Sequence, residues 1–315
     1  MINRSVILFI MISMLLNCSS QQQAKEVPIM RDFDKLWDFN DPTATEQKFH
    51  ELLNQANQDE APDYYLELKT QLARTLGLQQ KFDDASALLD QVESELRSDY
   101  PMVTIRYKLE RGRVFNSSGN KEKSKSLFLE AWELGQKVGA DFFAVDAAHL
   151  LGIVEEPAQQ LVWNEKAMAL AEQSQDERAQ GWLGSLYNNI GWTYHDMQNY
   201  DKALEIFLKA LEWRESHQQV RETQIAKWCV ARTYRSLGDI EKSIEIQLAL
   251  EKEIQAAGQP EDGYVFEEIG ECFLIQGKAK DAVPYFKKAY DLLVQDIWLK
   301  QNESARLERL KQLGS

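Results

Sequence analysis

The chain has 315 residues with 15 Gly, 7 Pro, 44% apolar and 27% charged side chains. That balance suits soluble amphipathic helices and excludes collagen-like, disordered and turn-rich all-β classes. The net charge of −14 would repel nucleic acid and anionic lipid, and three cysteines without a CxxC pair exclude a disulfide framework and argue against zinc or redox work.

The N-terminus reads as an address. Arg4 is the one positive charge before a nearly unbroken apolar run from Val6 to Leu16, so residues 1–17 have the layout of a secretory signal peptide. The run falls short of the roughly 20 residues that span a bilayer. Leu15-Leu16-Asn17-Cys18 resembles the bacterial lipobox, with Asn17 where that motif prefers a small residue. The resemblance implies acylation of Cys18, and Ser19 after it corresponds to the outer-membrane sorting choice. Residues 18–40, polar and aperiodic from Ser19 to Val27, are expected to be a lipidated tether. Asp41-Pro42, followed by Glu46, Phe49, Leu52, Leu53 and Ala56, predicts a capping helix within residues 41–62.

From there the chain repeats. Small residues in matching contexts stand at Ala73, Gly112, Gly152, Gly191, Ala231 and Gly270, spaced by 39 or 40 residues. In most units a large apolar residue follows three positions later (Leu76, Phe115, Tyr194, Tyr234, Phe273). A second small residue comes twelve positions after the first (Ala85, Ser124, Ala203, Ser243, Ala282), with a bulky partner four further on (Leu89, Phe128, Phe207, Phe286). Gln247 is the exception at that last place. Gly119, Gly238 and Gly277 mark a turn between two helices in each unit. Glu155-Glu156-Pro157 should end the first helix of the Gly152 unit early, and its second helix should start about one turn early. Pro62, Pro101 and Pro260 stand just ahead of repeats, whereas Pro284 should bend the last second helix or mark a late start.

Tyr187, Ile190, Gly191, Tyr194, Ala203, Phe207 and Ala210 match the signature of the tetratricopeptide repeat in order, and Ile269-Gly270, Phe273, Ala282, Phe286 and Ala289 repeat it. The chain therefore resembles a long-repeat variant of that family, similar in spacing to kinesin light chain repeats. The resemblance implies an all-α, right-handed α-solenoid of about six helix-turn-helix repeats over residues 63–298, closed by a C-terminal capping helix at residues 299–315. In such arrays the first helices line a concave groove. The corresponding positions are Arg74, Arg106, Arg113, Asn116, His149, Asn188, Trp192, His195, Trp228, Arg232, Arg235, Glu267 and Glu271. Five arginines here suggest a basic inner surface able to fork onto carboxylates or phosphates, with Trp192 and Trp228 as anchors. Two plainer readings stand beside it: arginines paired to acids of neighbouring units, and tryptophans serving as packing. Asn188 and Arg232 sit where carboxylate-clamp relatives hold a peptide terminus, but Trp192 replaces an expected Asn and the groove positions hold no Lys.

No nucleophile elbow, catalytic triad or metal-ligand spacing is present, so neither enzymatic activity, a metal nor a cofactor is expected. Cys229 and Cys272, on first helices of adjacent units, read as buried free thiols, with a disulfide as the alternative. The expected function is a non-catalytic protein-protein interaction scaffold, lipid-anchored in the bacterial envelope. It would be outer-membrane and periplasm-facing, taking an extended peptide or helix of a partner in its groove, with envelope complex assembly as the expected setting. The alternatives are a sensory protein that binds a small anion or cell-wall fragment, and a cytoplasmic regulator with an uncleaved N-terminus.

Overall fold

A computed structural model describes residues 31–315, which excludes the proposed signal peptide and Cys18. The described chain is helical, with no strand. None of its helices is long and apolar enough to cross a membrane.

A short 3-10 turn (Asp32–Leu36) leads into α1 (Pro42–Gln55), whose N-cap Asp41 accepts from the Ala44 amide at 2.9 Å. Six helix pairs follow: α2 (Pro62–Leu78) with α3 (Phe82–Ser94), α4 (Pro101–Ser117) with α5 (Lys121–Val138), and α6 (Asp141–Val154) with α7 (Pro157–Gln173). After the short α8 (Glu177–Gln180) come α9 (Leu183–Asp196) with α10 (Tyr200–Ser216), α11 (Val220–Leu237) with α12 (Ile240–Ala256), and α13 (Gly263–Ile275) with α14 (Ala279–Leu293). The chain closes in two helices, α15 (Ile297–Asn302) and α16 (Ser304–Leu313), where a single cap is expected from the sequence.

Packing within each pair follows the small-large code. A Cβ on Gly191 would lie 2.5 Å from the Phe207 ring, and one on Gly112 would lie 2.4 Å from that of Phe128. Glycine there lets the ring seat against bare backbone. The turns share one backbone state: Gly119, Gly238 and Gly277 have φ of 84°, 88° and 74°. In the first and fourth pairs the same position is filled by Gln80 (φ 62°) and Gln198 (φ 60°), which carry the side-chain cost of that conformation.

The third pair departs as its sequence suggests. α6 ends at Val154 and α7 begins at Pro157, five residues after Gly152, whereas α10 begins nine after Gly191. One turn is lost, and α8 with Trp182 fills in afterwards. Pro62 and Pro101 open α2 and α4, while Pro260 stands ahead of α13, which Asp262 caps. Pro284 lies inside α14, which begins at Ala279 and so shows no late start.

The expected tether needs correction at its C-terminal end. From Arg31 onward the chain is packed: Phe33 is fully buried beside Phe49 and Tyr64. Arg31 Nη2 donates to Asp63 Oδ2 (2.6 Å) and Glu67 Oε1 (2.7 Å), and Trp37 Nε1 donates to Gln71 Oε1 (3.2 Å). Two aromatics and an arginine give these residues enough contact to dock on α2, which composition alone does not reveal.

Candidate peptide-binding groove

The first helices of the pairs carry the thirteen candidate residues, and the fold spends most of them on itself. Arg74 on α2 reaches Glu110 Oε1 of α4 at 3.3 Å and stacks on Trp37 and Phe39. Arg106 is buried, with Nη2 at 2.6 Å from Asp34 Oδ2 and Nε at 3.0 Å from Glu67 Oε2, between the rings of Phe33 and Phe143. Arg113 donates to Glu110 Oε1 (2.8 Å) and to Asp146 Oδ1 (2.6 Å) on α6. Burial alone would lower its pKa, but Asp146 and Glu110 outweigh it and hold the guanidinium above its usual value. Arg235 forks onto Glu268 at 2.7 and 2.9 Å, and Arg232 Nε lies 3.2 Å from the same carboxylate. Glu267 accepts from Arg306 Nε at 2.9 Å, and Glu271 accepts from Arg309 Nη2 at 3.1 Å, both donors being on α16.

The expected free basic surface is therefore not what the structure contains. Each of the five arginines faces a carboxylate, because an unpaired guanidinium at a half-buried position would lose hydration without compensation. The acidic partners Glu67, Glu110, Asp146 and Glu268 were missed as site residues. A signal existed: Arg74 and Glu110 are 36 residues apart, and Arg113 and Asp146 are 33, as are Arg235 and Glu268. Nearly one repeat separates each donor from its acceptor, the distance at which stacking brings neighbouring first helices together.

The two histidines are also internal. His195 is buried, with Nε2 2.9 Å from Ser236 Oγ, and His149 lies against Trp182 at 5.2 Å between ring centroids. Burial lowers both imidazole pKa values, and Arg232 adds to the effect at His195. Cys229 and Cys272 are free and buried, and burial pushes the Cys229 thiol up to about 12. Among the described residues no group of three or more His, Cys, Asp or Glu could hold a metal ion.

What stays accessible lies further along the array. Trp192 and Trp228 pack at 5.8 Å between centroids, Trp228 and Tyr264 at 6.2 Å, and Trp228 Nε1 donates to the Tyr264 carbonyl at 3.1 Å. These half-buried rings form a ladder across α9, α11 and α13. Beside it two recesses of about 210 and 270 Å³ adjoin at Ile225, which is 43% exposed. Asn188 and Ser185 line the first, and Trp228, Tyr264 and Gln224 the second. Asn116 lines a separate recess with Arg74 and Arg113.

Solved structures share this architecture. The apo form of RapI is 15% identical, with a TM-score of 0.65 over 84% of this chain and 77% of its own. A signal transduction ATPase with a tetratricopeptide repeat sensor, from Pyrococcus horikoshii, is 15% identical with a TM-score of 0.64, over 86% of this chain and 42% of its own. The C-terminal part of a repeat-containing protein from Cytophaga hutchinsonii is 14% identical with a TM-score of 0.53, over 84% and 95%. The tetratricopeptide repeat family profile matches residues 184–217, the α9–α10 pair. Residues 184–217 thus form a tetratricopeptide repeat, and the chain shares the fold of tetratricopeptide repeat solenoids. No curated protein matches it. At these identities the likeness is one of fold, and Arg232, at the position where clamp relatives hold a peptide terminus, is tied to Glu268 and to Ser236 Oγ (2.6 Å).

Proposed function

We propose that this repeat protein is a non-catalytic scaffold that holds a segment of a partner protein along α9, α11 and α13, and that a lipid on Cys18 tethers it in the bacterial envelope. One observation carries the groove reading: two recesses joined at the exposed Ile225 beside the Trp192–Trp228–Tyr264 ladder. An extended segment puts alternate side chains about 7 Å apart on one side. Spaced shallow recesses suit it, and a rigid platform loses little entropy on binding. The half-buried amide of Asn188 offers a donor and an acceptor for its backbone. The tether rests on the Leu15-Leu16-Asn17-Cys18 motif.

The test is crosslinking of the full-length protein in intact cells, comparing wild type with Ile225→Asp. Ile225 is exposed, so the variant should keep its circular dichroism. Loss of one specific adduct supports the groove, whereas an unchanged adduct places binding elsewhere. In parallel, Cys18→Ser should move the protein from the membrane to the soluble fraction. Unchanged fractionation refutes the lipid tether without touching the groove.

A further inference from the structure

A second cavity is distinct from these recesses and has different chemistry. It measures about 590 Å³, within the range of about 300 to 1,000 Å³ typical of small-molecule sites, and lies between α2, α4, α6 and the segment of residues 31–39. Five of its thirteen lining residues are aromatic: Trp37, Phe39, Phe142, Phe143 and Trp182. Its charged groups balance, with Arg74, Arg106 and Arg178 against Asp34, Glu110 and Asp146. Three of its lining residues carry buried atoms without a hydrogen-bond partner, the donors Arg74 Nε and Arg106 Nε and the acceptor Glu110 Oε2, and of these Arg106 Nε has a carboxylate, Glu67 Oε2, at 3.0 Å. The Glu110 side chain is only 3% exposed. An orphaned polar atom at such depth has lost its water without replacement, so Arg74 and Glu110 are poised to gain from a ligand that supplies the missing partners.

We propose that this cavity binds a small aromatic zwitterion of the class of a free aromatic amino acid. Balanced wall charges disfavour a net anion or cation, which would leave one sign in excess in a space of low dielectric. A carboxylate can accept from Arg74 and an ammonium can donate to Glu110, while the ring takes the edge or offset contacts that aromatic pairs favour. This goes beyond the scaffold reading and uses none of its residues. Residues 31–39 complete the wall through Asp34, Trp37 and Phe39, so the site exists only with that segment docked.

The test is calorimetric titration of the full-length protein with L-tryptophan and L-phenylalanine. Indole, N-acetyl-L-tryptophanamide and L-alanine serve as probes lacking both charges, lacking both charges with an amide retained, and lacking the ring. Saturable binding by the two aromatic amino acids is expected, with at least tenfold weaker binding of the three controls. Glu110→Gln should weaken L-tryptophan at least tenfold, and so should Phe39→Ala at the exposed rim, where folding is not at risk. Ile225→Asp should leave it unchanged. Absence of binding at millimolar concentration overturns the proposal, as does indole binding equally well or Phe39→Ala having no effect.

Discussion

Gln247 occupies the place that Leu89, Phe128, Phe207 and Phe286 hold in other pairs, and it is fully buried with both Nε2 and Oε1 lacking partners. A primary amide transferred from water to such a site loses its solvation for nothing in return. Gln247→Leu should therefore stabilise the protein by about 1 to 3 kcal/mol, read as a higher urea midpoint at unchanged slope. A neutral or lower midpoint would mean that the amide has partners in solution. His195 makes an opposite, pH-linked contribution. Its folded pKa is depressed, by burial first and by Arg232 next, so the folded chain binds fewer protons than the unfolded one. That stability is complete above the unfolded value near 6.5 and declines as pH falls from there through the lower folded value. His195→Gln should flatten the fall in denaturation midpoint between about pH 7 and pH 5. An equally steep fall in both proteins refutes the assignment.

Where first helices meet, shared carboxylates act as staples. Glu268 receives both Arg232 and Arg235, so Glu268→Gln strands two cations at once. The expected loss is about 3 kcal/mol, with recovery when Arg235 is also changed to Met, and chemical denaturation of both variants checks it. A loss under about 0.5 kcal/mol would reclassify the cluster as a solvated surface. These staples also mark how far sequence reading reaches. The helix pairs were legible because Gly191 and Phe207, or Gly112 and Phe128, lie within one unit and recur at the repeat period. The fate of Arg74 or Arg113 was not, because each answers to a residue on the next unit. Knowing which charges meet there requires the stacking distance between first helices. The docking of Phe33 and Trp37 was invisible for another reason: a single aperiodic segment carries no repeat against which its contacts can be judged.

Repeat arrays couple mainly between neighbours, so damage at one end should stay there. Glu267 ties α13 to α16 through Arg306, whose Nε and Nη2 both donate to its carboxylate. Glu267→Gln is expected to raise amide hydrogen exchange in α13 to α16 while leaving α2 to α7 as protected as before. Exchange that rises along the full array would show a single cooperative unit instead. The arginine staples are unevenly distributed. They join α2 to α4 and α4 to α6, and again α11 to α13 and α13 to α16, but neither α6 nor α9 contains an Arg or Lys that could extend the series between them. The middle is held in another way, because α6, α7 and α9 share one apolar core through Val154, Trp163, Leu183 and Ile190. The array is pinned by charge towards its ends and by apolar burial at its centre, so added salt should loosen the ends before the middle.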